Sequence, residues 1–117
     1  MRYTPPLFSL RKHIQVISDV QTFSDDKGIY TFNDSSSVTG ESNAIEMTGK
    51  NQTLNIDDSS VDSINNDGIY STDDADGNTF YISNSAISGG YGAIEVRGND
   101  GIISVSSSTL TGTGWQW

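Results

Sequence analysis

The chain has 117 residues, enough for one domain, and carries 15 acidic against 6 basic side chains for a net charge of −9. That balance excludes a nucleic-acid backbone or an anionic membrane surface as the natural partner. The absence of cysteine excludes a disulfide framework and thiolate chemistry.

Charge is uneven along the chain. Arg2, Arg11, Lys12 and Lys27 against Asp19, Asp25 and Asp26 leave +1 before Gly28. Twelve acids against Lys50 and Arg97 leave −10 after it. Residues 1–27 read as an irregular leader or a degenerate first coil built on Ile14, Val16 and Phe23. Pro5-Pro6 forbids a regular element at their position. Leu7-Phe8-Ser9-Leu10 runs at once into Arg11-Lys12, too short for a signal-peptide apolar region. No stretch approaches the ~20 apolar residues of a membrane span.

Residues 28–117 read as repeats. Gly28 to Val38 is the awkward one: Ile29 abuts Tyr30-Thr31-Phe32 with no turn between. By the spacing of the later coils, about eight residues are missing here. Either this coil is narrower or the regular stack starts at Ile45. From Thr39 to Val61 the pattern is clean. Ile45 and Met47 point inward with Glu46 outward, residues 49–52 turn, Leu54 and Ile56 point inward, and Val61 closes the coil after a corner at Asp58-Ser59. The alternation is the period-two signal of half-buried strands. The third coil runs to Ile87 with the longest turn, Ser71 to Asn78. The fourth turns at residues 98–101 and continues through Ile103, Val105 and Leu110. Trp117 then falls where Ile94 fell, so the chain is expected to stop in mid-coil, truncated at its C-terminal end.

The periodicity is quantitative. Phe32, Ile56, Ile82 and Val105 are separated by 24, 26 and 23 residues, and Val38, Val61, Ile87 and Leu110 by 23, 26 and 23. A third anchor, a small residue before isoleucine, recurs at Gly28-Ile29, Ala44-Ile45, Gly68-Ile69 and Ala93-Ile94, with steps of 16, 24 and 25. Such spacing, with two or three short strands per unit, marks a solenoid. Leucines are too few for a leucine-rich lattice, and no run has helical period. Strands ended by Ser, Asn, Asp and Gly predict an all-β, right-handed parallel β-helix of about four to five coils. A hydrophobic content of 33% is low for a globule, yet suffices for a thin apolar column. The regular spacing of its members argues against disorder.

The units DGIY…TFYISNSAISG, GAIEVRG and IISVSSSTLTGTG resemble the passenger domains of bacterial autotransporters, the pertactin-like right-handed β-helices of surface adhesins. The resemblance implies a scaffold or adhesion role at the surface of a Gram-negative cell or outside it. It also implies a larger protein with an export signal and a C-terminal membrane barrel, neither of which is recognisable here. It carries over no catalytic motif.

Candidate sites were weighed against plain structural roles. Tyr30, Glu46, Tyr70 and Glu95 follow the small-isoleucine pairs and are expected to form an outward ladder able to contact a ligand. Its two carboxylates would stand two rungs, ~9.6 Å, apart, near the upper end for inverting glycosidases. Asp74 and Asp76 in the Asp73–Asn78 turn resemble half of a calcium loop, but Thr72 and Ser83 stand where its first and last ligands belong. Gly89-Gly90-Tyr91-Gly92 has Ile94 where a glycine-rich calcium repeat needs Asp. Ser59, Ser85 and Ser108 are expected to stack at a corner as hydrogen-bonding structure. A hydrolase nucleophile needs a positioned base, and the single histidine, His13, lies in the non-repeating leader. The expectation is therefore no catalytic residue, no metal and no cofactor. The partner would be a host surface glycan or protein, with no nucleic acid, no membrane insertion of this segment and end-to-end self-association at an open end. The alternative is a fragment of a polysaccharide-degrading β-helix enzyme.

Overall fold

The computed structural model describes residues 8–10, 16–17 and 21–114. Ile14 and Trp115–Trp117, which the sequence reading placed in coils, lie outside the described residues. Fourteen strands are described: β1 (Phe8–Leu10), β2 (Val16–Ile17), β3 (Gln21–Phe23), β4 (Ile29–Phe32), β5 (Ser37–Gly40), β6 (Ile45–Met47), β7 (Thr53–Asp57), β8 (Ser60–Ser63), β9 (Ile69–Ser71), β10 (Thr79–Ser83), β11 (Ala86–Gly89), β12 (Ile94–Val96), β13 (Ile102–Ser106) and β14 (Thr109–Gly112). They form three parallel sheets, ordered β1-β4-β7-β10-β13, β2-β5-β8-β11-β14 and β3-β6-β9-β12. Each turn of the chain contributes one strand to each sheet. The architecture is a parallel β-solenoid of about four turns, all-β as the repeat predicts.

The two long anchor series stack as expected. Phe32, Ile56, Ile82 and Val105 are register partners in the first sheet, and Val38, Val61, Ile87 and Leu110 in the second. Alternation along each short strand sends every second side chain into the column. Phe32, Leu54, Ile56, Phe80, Ile87, Ile45 and Ile69 are accordingly fully buried. At the last described turn the same positions have no described strand stacked on them. Ile103, Val105 and Leu110 are 46%, 40% and 44% exposed.

The third series needs correction at its first member. Ile29 pairs with Thr53 in the first sheet, not with Ile45, and is 56% exposed. Gln21 is the register partner of Ile45, and Phe23 of Met47. No residues are missing from this coil. The apparent gap came from aligning Gly28-Ile29 with the wrong strand. Tyr30 consequently turns inward as the partner of Leu54, is 4% exposed, and stacks on Phe23 with ring centroids 4.0 Å apart. Gly28 makes room for it, since a Cβ there would collide with the tyrosine hydroxyl.

Two corners are built on left-handed backbone. Ser35, Asp58, Asn84 and Ser107 take φ of 64°, 51°, 50° and 49°, between the first and second sheets. Lys27, Asn51, Gly77 and Asp100 take 63°, 56°, 74° and 60°, between the third and first. Asp and Asn tolerate this region better than most side chains, and glycine freely. Below the last described turn, each such residue turns its N–H up to the next coil. Asn51 donates to the Asp76 carbonyl and Asp58 to the Ser83 carbonyl, at 2.8 and 3.1 Å. The serine ladder closes the first corner: Ser59 N–H donates to Ser85 Oγ and Ser85 N–H to Ser108 Oγ, at 3.1 and 3.0 Å. These serines are structural, as the spacing implies.

At the second corner, Gln52 and Asn78 point into the column instead of out. Asn78 Oδ1 accepts from Gln52 N–H at 2.7 Å, and its Nδ2 lies 3.2 Å from Gly49 O, Gln52 Oε1 and Ser71 Oγ. Gln52 Nε2 donates to the Phe23 and Asp25 carbonyls. Full satisfaction lets these amides sit in the interior without a desolvation penalty.

Candidate functional site

The third corner, between the second and third sheets, carries the most unusual chemistry. It places one residue of each coil just before a small-isoleucine pair: Asn43, Asp67 and Gly92. The Asn43 carbonyl oxygen, Oδ1, accepts the Asp67 N–H at 3.1 Å. One coil up, glycine replaces the amide, and the Asp67 carboxyl fills the space. A Cβ on Gly92 would stand 2.9 Å from Asp67 Oδ1. The corner below is held by Ser63 Oγ, which accepts Asn66 N–H at 2.9 Å and donates to the Ser42 carbonyl.

Asp67 is only 5% exposed, and its Oδ1 is buried with no hydrogen-bond partner. Burial, then the hydrogen bond and negative charge of Glu95, push its carboxyl up to about 7, against the opposing pull of the Gly92 N–H. The Asp67 carboxyl therefore holds its proton well above the usual carboxylate range, as a buried acid beside another carboxyl does. Glu95 comes from the middle of β12 and sits directly over Tyr70 of β9. Two residues on, Arg97 forms ion pairs with Asp73 at 2.8 Å and with Glu95 at 3.8 Å. Asp73 and then the Tyr70 hydroxyl beside it raise the guanidinium's pKa. These side chains, with Asn43, Asn66 and Tyr91, line an open groove of about 420 Å³.

The predicted ladder is thus partly assembled. Glu46, Tyr70 and Glu95 are register partners. Tyr30 is in the core, and Thr22 takes the ladder position below Glu46. Tyr70 and Glu95 line the groove with Asp67. Sequence reasoning missed Asp67, although its signal was present: Asn, Asp and Gly occupy one phase of the repeat, and only one of them is ionisable. In the Asp73–Asn78 turn, Asp73 faces Arg97 and Asp76 lies 3.9 Å from Lys50. Asn78 is inside the column. Among the described residues no three acidic or imidazole side chains converge on a point where a metal could sit.

The arrangement offers carboxyl acceptors, guanidinium donors and two tyrosine rings in one open depression. Fold and groove together define a three-sheet parallel β-solenoid with a polar, aromatic-lined depression on one corner. Comparison of the chain with family models, with curated proteins and with solved structures finds no match.

Proposed function

We propose that the chain is a non-enzymatic β-helix segment of a secreted or cell-surface protein of the autotransporter passenger kind, serving as scaffold and adhesion surface for a host glycan or protein. The observation carrying this reading is the in-register stacking of all three sheets. It repeats one cross-section coil after coil and turns short polar residues outward: Thr39, Asp62, Ser88 and Thr111 share one register row. A solenoid of this kind is a rigid spacer whose faces are extended binding surfaces. Export to the surface of a Gram-negative cell follows from the resemblance of the repeat units to such passengers. Fold alone does not fix activity, so the test addresses turnover and attachment directly. Beads coated with the purified chain are expected to adhere to cultured host cells above an uncoated control. A panel of neutral and acidic polysaccharides is expected to remain uncut. Absence of adhesion, or cleavage that disappears in Glu95→Gln, overturns the reading.

One observation favours a second reading, a fragment of a polysaccharide-degrading enzyme. Asp67, whose carboxyl is pushed up to about 7, and Glu95 lie together in an open groove, the composition of an acid–base couple. Cleavage lost in both Asp67→Asn and Glu95→Gln would establish it.

A further inference from the structure

We propose that the groove between Asp67, Tyr70, Tyr91 and Glu95 is a binding site for an uncharged pyranose ring of a glycan. The inference rests on the adhesion reading above and names where on the solenoid the sugar sits.

Its volume of about 420 Å³ falls in the range of small-ligand clefts, roughly 300–1,000 Å³. Its floor is a carboxyl that the fold does not satisfy. Asp67 is 95% covered, lines the groove, and keeps one oxygen without a donor. A buried acceptor left unpaired is costly, and native interiors rarely tolerate one. The terminal torsion of an aspartate is broad, so a modest rotation brings that oxygen to the groove surface, where a ligand hydroxyl can donate to it.

The remaining side chains select the ligand's charge. Glu95 and Asp73 stand beside the groove's one cation and already neutralise it. An anionic sugar would meet those carboxylates with no free positive charge to offset them. A cationic ligand would find the guanidinium of Arg97 already in the cation position on Glu95. A neutral hydroxyl both donates and accepts, and the groove offers both kinds of partner. Tyr91 supplies an apolar face. It is 44% exposed, and Gly114 backs it from the coil above, where a Cβ would come 3.0 Å from its ring. Pyranose rings present C–H faces that stack on such aromatic surfaces, while the ring hydroxyls reach the polar groups alongside.

The test is a titration of the isotopically labelled full chain, followed by amide NMR. The probes are four neutral oligosaccharide series built from glucose, mannose, galactose and N-acetylglucosamine, with oligogalacturonate as the anionic control. Saturable shifts are expected at the amides of Asp67, Tyr70, Tyr91 and Gly92 with at least one neutral series. The expected Kd is on the order of 1 mM per ring, with no response to oligogalacturonate. Tyr91→Ala, at an exposed position, should weaken binding roughly tenfold and leave the remaining spectrum folded. The proposal is overturned by the absence of saturable shifts in all four neutral series, by an equal response to the anionic series, or by unchanged affinity in folded Tyr91→Ala. If a neutral oligosaccharide binds at the groove and is then cleaved, this inference stands while the non-enzymatic reading fails.

Discussion

Replacing Asp67 by asparagine should make the protein more stable above neutral pH. The residue one coil below, Asn43, already fills the equivalent place. An amide at position 67 keeps the shape of the protonated carboxyl and carries no charge for burial and Glu95 to oppose. The folded chain holds the Asp67 proton up to about pH 7, against an ordinary value of 3.8. Because the folded value is the higher one, the folded state binds more protons than the unfolded state between those limits. Stability from this group is therefore intact below pH 4, falls through pH 4 to 7, and is fully lost above 7. At ~1.4 kcal/mol per pH unit over the roughly three units between these values, the loss is about 4 kcal/mol at most. Urea unfolding of both proteins from pH 4 to 8 reads this directly, and the difference between the curves cancels the background from the other carboxylates. The two should coincide near pH 4. The variant should gain steadily and level off at most about 4 kcal/mol above the parent at pH 8. Parallel curves, or a variant less stable at pH 8, would refute the argument that Asp67 is ionised there at the expense of the fold.

Further outcomes follow from the column itself. Ile69→Ala empties a fully buried position between two stacked isoleucines and should cost ~2–5 kcal/mol in urea unfolding. Asn78→Leu removes the acceptor of Gln52 N–H and the donor shared by Gly49 O, Gln52 Oε1 and Ser71 Oγ. A loss of about 2–4 kcal/mol is expected in the same assay, even though the substitution is more apolar. The exposed Ile103, Val105 and Leu110 beside the unpaired edge of β13 and β14 should drive self-association as salt screens the net charge of −9. Light scattering should rise with ionic strength in the parent and stay monomeric in Val105→Glu. Because Arg97 and Lys50 lie against Asp73 and Asp76, a chelator is expected to leave the melting temperature unchanged; a drop of many degrees would show a structural cation.

The groove was only half legible beforehand. Tyr70 and Glu95 were singled out because they share the position after a small-isoleucine pair, a rule of sequence phase, and both line the groove. Asp67 and Arg97 join them through the corner and the strand end, where spacing in the chain says little about proximity in space. Tyr30 shows the opposite failure. The pair Gly28-Ile29 imitates Gly68-Ile69 in letters, yet Ile29 belongs to a different sheet. What gives Tyr30 away is its distance of two residues from Phe32, the same separation as Leu54 from Ile56 and Phe80 from Ile82.

The repeat in the sequence determined the architecture. Apolar residues every 23 to 26 positions on short alternating strands can be buried together only by coiling the chain so that each strand lies on its counterpart. Turn-formers placed between them set where the coil bends. Tertiary structure alone decided which polar residues go inward and which carboxyls meet. Gln52 and Asn78 look like turn residues until the neighbouring coil supplies carbonyls for them to bond. Asp67 looks like one acid among fifteen until a glycine above it, a glutamate beside it and a closed corner below remove its water. Burial and pairing depend on the coil above and below, about 24 residues away in either direction. No local rule of propensity or composition carries information over that distance.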